Sequence, residues 1–449
     1  MDGYYTWMLV SASLVLLMTA PGLALFYGGM SRSKSVLNMM MMSFTALGVV
    51  GIVYALWGWS MSYSTTFLTA DGEAGKEIGT FFSDPFKQFG LETTDPANYV
   101  FVAFQLTFAV ITAALISGAV ADRLKFSAWL VFLPVWVTLS YFPLAHMVWG
   151  GGFLSGVEDG LSSLLLGNIT ADGVTVAEIA PIDYAGGTVV HINAGVAGLV
   201  LALLLGTRLG FGKEPIKPHN LTLTMIGAGL LWFGWFGFNV GSIVNLDAYT
   251  TETGLVWLNT TLATCAAMMG WLLVEKVRDG KGTSLGAASG VVAGLVAITP
   301  ACGNLVPWSA MVLGLVAGGL CALAVGLKYR FGYDDSLDVV GVHLVGGLVG
   351  TIGVGFLASG DLGLLTGGDG KQLLVQVVVA VFAMLWSGIA TLVIGLAIKF
   401  TIGLRLDPED EVEGIDFVEH GESAYDLSTG SGARRTSVLT STTAEGARA

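Results

Sequence analysis

The chain has 449 residues, 54% of them hydrophobic and only 12% charged, against roughly 25% charged in an ordinary soluble domain. That is too little charge to cover a water-soluble surface, so composition excludes a soluble globular protein and points to lipid as the main solvent. The formal net charge of −13 is unevenly spread, with much of the acid in one loop and the C-terminal region, and no nucleic-acid partner is expected.

The 63 glycines are about twice the usual share. They suit closely packed membrane helices, because lipid supplies no hydrophobic drive and small residues let backbones approach. Cys265, Cys302 and Cys321 lie in or beside apolar segments without CxxC spacing. They read as small core residues, so neither a disulfide framework nor a metal or other cofactor is expected.

The chain starts Met1-Asp2-Gly3, acidic where a signal peptide is basic, so the first apolar run reads as a spanning helix. A crossing takes ~20 apolar residues. Eleven runs qualify, near 6–30, 38–63, 99–121, 127–149, 184–206, 221–244, 255–275, 284–301, 308–327, 338–357 and 373–398. The expected fold is therefore an all-α polytopic membrane protein with eleven transmembrane helices over residues 1–400. All of the 20 basic residues except Lys76, Lys87 and Lys371 fall in alternate connections or in the tail. By the positive-inside rule the N-terminus is outside and the C-terminus cytoplasmic. The outside loop 64–98 is acidic, with Asp71, Glu73, Glu77, Asp84, Glu92 and Asp95, and loop 150–182 is rich in Gly and Ser. The tail turns polar from about 406, and residues 427–449, rich in Ser, Thr, Gly and Arg, are expected to be disordered.

The fifth run carries Asp183 ahead of His191, then Ile-Asn-Ala-Gly-Val-Ala-Gly. The tenth carries Asp338 ahead of His343, then Leu-Val-Gly-Gly-Leu-Val-Gly. Five spans separate them, an odd number, so the second unit is inverted. Inverted repeats with a site at their interface are a common transporter design.

Ionisable groups inside a bilayer are costly and are functional candidates by default. His219 and His420 fall in polar segments and His146 near a span end, which leaves His191 and His343 deep in apolar runs. One buried histidine is usually a satisfied structural group; two at matching positions point to a shared site. Burial favours the neutral ring, which both donates and accepts. Asp183 stands eight residues before His191, about 12 Å along a helix. It reads as a helix cap or as a carboxylate that steadies a cation through the field; Asp338 reads as structural. Aromatics cluster in Trp232-Phe233-Gly234-Trp235-Phe236-Gly237-Phe238-Asn239-Val240-Gly241-Ser242, in Phe104-Gln105-Leu106-Thr107-Phe108 and at Trp149. They are either interfacial packing or a cage, each desolvated face attracting a cation by ~0.5–2 kcal/mol, with the Ser242 hydroxyl as an acceptor.

At these residues the chain resembles the ammonium transporter (Amt/Mep/Rh) family, and the bacterial Amt branch above all. The matching segments are Pro21–Gly29, Ala145–Gly152, Asp183–Asn193, Gly234–Asn239, Thr299–Gly303 and Asp338–His343. The resemblance implies two inverted five-helix halves plus a final helix, and a homotrimer with one pore per subunit. It implies an outer ammonium site at Trp149, Phe108 and Ser242, a stacked gate of Phe108 and Phe238, and a pore with the pair His191 and His343 beside Trp235. Asp183, Asp338, Ser289 and Thr299 take supporting positions. The tail, at Gly414-Ile415-Asp416 and His420–Tyr425, resembles the region that docks a trimeric PII-type signalling protein in bacterial relatives, so residues 401–426 read as a cytoplasmic regulatory tail. The implied activity is passage of ammonium or ammonia across the cytoplasmic membrane, not enzyme catalysis. An intramembrane enzyme would need a nucleophile or metal set, and none is apparent.

Overall fold

The computed structural model describes residues 2–64, 81–171, 173–213, 217–243 and 249–425. Eleven apolar helices are numbered here in chain order: α1 Gly3–Met30, α2 Val36–Tyr63, α3 Pro96–Val120, α4 Phe126–Trp149, α5 Gly187–Leu205, α6 Leu221–Val240, α7 Tyr249–Asp279, α8 Ser284–Ile298, α9 Pro307–Phe331, α10 Val340–Leu357 and α11 Lys371–Thr401. Ten are long and apolar enough to cross a membrane, and α8 is the exception. Its 15 residues rise about 22 Å, short of a ~30 Å hydrocarbon core. The apolar run 284–301 contains Pro300, which has no N–H to continue the helical ladder. The chain instead turns through Thr299–Asn304, with Ala301 N–H on the Ile298 carbonyl at 2.9 Å.

The Gly- and Ser-rich connection after α4 is more ordered than its composition suggests. It holds a short helix, Leu161–Leu166, and an antiparallel hairpin of Asn168–Ala171 with Val174–Ala177. Asp71, Glu73 and Glu77 of the acidic loop, Lys76, and the tail segment 427–449 lie outside the described residues.

Polarity runs inside out, as lipid requires. On α11, Leu385, Ile389 and Val393 form an exposed apolar stripe at four-residue spacing, while Ser387 and Thr391 on the opposite face are buried. Ser387 donates to the Asn193 carbonyl at 2.7 Å, and Thr391 accepts from Trp136 Nε1 at 2.9 Å. A hydroxyl left unpaired in such an interior would cost several kcal/mol.

The two histidine-bearing helices meet at glycines. A Cβ on Gly195 would lie 2.5 Å from the Leu344 nitrogen, and one on Gly347 only 3.1 Å from the His191 Cβ. Each glycine follows its helix's histidine by four residues, one turn further on the same face. This close approach of α5 and α10 puts their imidazoles within reach of each other.

At the end of the bundle where α2 and α4 begin, the tail forms two short helices, α12 Pro408–Glu413 and α13 Ile415–His420. Asp416 accepts from the backbone N–H groups of Leu37 at 3.1 Å and Asn38 at 2.8 Å, and Glu419 from Phe126 at 3.3 Å. These are first-turn donors of α2 and α4, which have no partner within their own helices. Glu411 accepts from Leu209 N–H at 2.7 Å and pairs with Arg405 at 2.8 Å. The tail thus ties three separated segments together with carboxylates.

Gly195→Val is expected to wedge α5 away from α10 at a cost of ~1–3 kcal/mol, the usual penalty for overpacking. A lowered melting temperature of the detergent-solubilised protein checks this; an unchanged one refutes the close-packing argument.

Candidate functional site

The segment before α5 sets the geometry. Asp183 Oδ1 accepts from Gly186 N–H at 2.8 Å and Gly187 N–H at 2.6 Å; Oδ2 accepts from Thr188 N–H at 2.9 Å and from the Thr188 hydroxyl. Gly186 sits at φ +118°, a left-handed conformation that glycine tolerates best. The carboxylate is thus spent on capping, and the helix enters through a wide, π-type turn at Gly187–Ile192 that aims His191 inward. Wide turns of this kind are frequent at functional sites.

The second half repeats the device with a different aspartate. Asp335, eight residues before His343 as Asp183 is before His191, accepts from Val339 N–H at 3.0 Å and Val340 N–H at 2.7 Å. The wide turn Val340–Leu344 follows and carries His343. Asp338, the residue matched to Asp183 by sequence, instead pairs with Lys328 at 2.6 Å. The equal offset of eight was the available signal; it was masked because two more aspartates, Asp334 and Asp338, stand nearby.

The two histidines meet in the interior. Their Nδ1 atoms are 3.3 Å apart and their rings are nearly parallel, 20° between planes. His191 Nε2 is buried with no protein partner. A pocket of only about 10 Å³ lies alongside, lined by apolar side chains such as Met18, Phe26, Ile111 and Leu115 together with Trp235 and Phe238. That is about one water-sized sphere. Trp235 stacks on His191 at 5.5 Å and 19°, and its indole N–H donates to Thr299 Oγ1 at 2.8 Å.

Phe108 from α3 and Phe238 from α6 stack above this pocket, with centroids 3.9 Å apart and planes at 18°. No solute passes between rings at that separation unless they move. On the far side opens a cavity of about 470 Å³. Phe108, Trp149 and Ser242 line it, with Trp149 edge-on to Phe108 at 6.1 Å. The Trp149 indole is held by the Asp183 carbonyl at 2.9 Å, and the Ser242 hydroxyl donates to the Phe238 carbonyl at 2.8 Å, which leaves its lone pairs free to accept.

The fold therefore brings together Trp149, Phe108, Ser242, Phe238, Trp235, His191 and His343. Asp183 and Thr299 support them from behind. Ser289 is buried on α8 and lines neither cavity. Sequence reasoning missed the polar rim of the wide cavity, where Tyr184 donates to Glu252 at 3.0 Å and Gln105 and Asn304 also face inward. Glu252 gave no signal, because an acid in a helix's first turn is ordinarily explained by the helix dipole. Among the described residues, no group of three or more His, Cys, Asp or Glu could hold a metal ion.

A bundle of apolar helices enclosing a small pocket beneath a stacked pair of rings defines a polytopic membrane protein. Comparison with known proteins narrows this. Residues 6–425 match the Ammonium Transporter Family. An ammonium transporter of Mycobacterium tuberculosis is 50% identical, over 96% of this chain and 91% of its own. One of Aquifex aeolicus is 43% identical, over 95% and 94%. The crystal structure of Candida albicans Mep2 superposes with a TM-score of 0.77 at 30% identity, covering 91% of this chain and 87% of Mep2. This chain belongs to the ammonium transporter family.

Asp183→Ala removes an acceptor from several backbone donors at once. A stability loss near the upper end of the capping range, about 2 kcal/mol, is expected from thermal unfolding in detergent, and a shift no larger than that of a surface carboxylate would contradict the capping role.

Proposed function

We propose that the protein carries ammonium nitrogen across the cytoplasmic membrane, recruiting the cation at the aromatic cavity and passing neutral ammonia along the paired histidines. The observation that carries this reading is the 3.9 Å stack of Phe108 and Phe238, which separates a roomy, partly polar cavity from a mostly apolar-lined pocket the size of one small molecule. A bare cation is costly in such a pocket, whereas ammonia is neutral and hydrogen-bonds.

In the wide cavity the faces of Trp149 and Phe108 attract the cation, and Ser242 accepts a hydrogen bond from it. The full cost of dehydration then falls at the gate, where loss of a proton removes it. Below the gate, one imidazole Nδ1 donates to the other across 3.3 Å. If His191 Nδ1 donates, its open Nε2 edge accepts from ammonia; exchange of tautomers reverses both roles. A relay that takes up the released proton at His191 Nε2, passes the Nδ1 proton across to His343 Nδ1 and releases one from His343 Nε2 leaves both rings neutral, offers the proton a separate route and gives the transport a net current.

The wider reading follows the family. α8 together with the turn 299–304 completes an eleventh crossing, which puts the N-terminus outside and the C-terminus in the cytoplasm. The two five-helix halves are inverted about the histidines, the chain assembles as a homotrimer, and the docked tail 401–426 is the surface for a PII-type protein. The twin Asp-capped wide turns support the inverted halves.

Replacing both His191 and His343 with Leu is expected to abolish current evoked by an ammonium pulse on protein-loaded liposomes. Undiminished current would sink the relay. Trp149→Leu is expected to raise the half-saturating ammonium concentration roughly 2- to 30-fold, the loss of one desolvated aromatic face, and an unchanged value would remove the cation site from that cavity.

A further inference from the structure

Trp235 forms the wall of the pore directly beside His191, with the two rings 19° from parallel. A buried indole N–H needs an acceptor, and here it has one outside the lumen, Thr299 Oγ1 at 2.8 Å. The Thr299 hydroxyl has a single proton. The Leu295 carbonyl, one helical turn back and 2.7 Å away, takes it, so only lone pairs face the indole. Asn239 Oδ1 stands 3.4 Å from the same hydroxyl, and Asn239 Nδ2 donates to Thr260 Oγ1 at 3.0 Å. Thr260 in turn commits its proton to the Val256 carbonyl at 2.7 Å. Side chains from α6, α7 and the turn after α8 thus pack behind the indole, and the Thr299 and Thr260 hydroxyls each commit their proton to a carbonyl one turn back. The break of α8 at Thr299-Pro300 leaves that hydroxyl at the level of the pore wall.

The ring stacked on the indole, that of His191, carries a buried, unpartnered Nε2, which is an acceptor in the tautomer whose Nδ1 donates to His343. An indole N–H released from Thr299 has that edge to turn to, and there it competes with the passing solute. We propose that Thr299 is a positioning residue that holds the Trp235 N–H out of the lumen and so keeps the His191 Nε2 edge free for the solute. Thr299 acts only through Trp235. This inference rests on the pore reading given under Proposed function.

A double-mutant cycle on the full chain in liposomes tests it, with ammonium-pulse current divided by the amount of folded protein reconstituted. Thr299→Val keeps the volume and removes the acceptor. It is expected to lower maximal current about 5- to 10-fold, in line with one unpaired buried donor, and to leave the half-saturating concentration within about twofold, since the wide cavity is untouched. Thr299→Ser keeps the acceptor and is expected to restore at least half of the current. In a Trp235→Phe background, which has no N–H to hold, Thr299→Val is expected to have no further effect. Full current in Thr299→Val, failure of Ser to restore it, or an equal loss in the Trp235→Phe background would each overturn the proposal. Should Thr299→Val yield too little folded protein, Thr299→Cys, with a poor acceptor of similar size, replaces it in the same cycle. Absence of ammonium-evoked current from the unaltered protein would sink the pore reading itself, a different failure.

Discussion

Two imidazoles can exchange a proton only if the helices that bear them nearly touch, and in hydrocarbon nothing pushes helices together except packing and hydrogen bonds. The contact of α5 with α10 at Gly195 and Gly347 is therefore the constraint on which the rest of the structure turns. A side chain at either glycine meets backbone or the base of His191. With both glycines present, the Nδ1 atoms come within 3.3 Å. The wide turns and their aspartate caps follow from the same requirement. A helix that starts inside the protein must find acceptors for its first N–H groups, and Asp183 and Asp335 supply them without placing a free charge beside the pore.

The aromatic side chains then divide the interior into two compartments. Phe108 serves both compartments, facing Trp149 across the wide cavity and Phe238 across the gate. In the wide cavity the aromatic faces meet the polar rim of Tyr184, Glu252 and Gln105, and one ring below the lining is mostly apolar. Trp235 extends the aromatic wall to the histidines, and the Thr299 hydroxyl behind it fixes which way its one polar atom points.

At the end of the bundle where α2 and α4 begin, the tail supplies carboxylates to the first turns of α2 and α4 and to the α5–α6 connection. These contacts make residues 405–420 part of the bundle, with no boundary between membrane domain and tail at the level of hydrogen bonding. A partner that displaced the tail would have to compensate those N–H groups.

Much of this was legible in the sequence because the bilayer imposes a one-dimensional rule. Twenty apolar residues cross it, basic residues mark alternate connections, and a histidine inside an apolar run stands out because burial is costly. Those rules gave the helices, the two histidines and the aromatic clusters before any coordinates. They failed where three-dimensional neighbours decide. The run 284–301 has the composition of a span, yet Pro300 ends α8 at Ile298 and turns Thr299 toward Trp235. Asp338 stands opposite Asp183 in the sequence match, yet the capping role falls to Asp335, because only the backbone path decides which carboxylate reaches the open N–H groups. Glu252 and Tyr184 became neighbours only when the start of α7 was set against the segment before α5. Sequence determined which groups lipid would tolerate, since hydropathy is a property of each residue; the tertiary structure decided which polar atoms are satisfied and which, like His191 Nε2, are left open, since hydrogen bonding is a property of pairs.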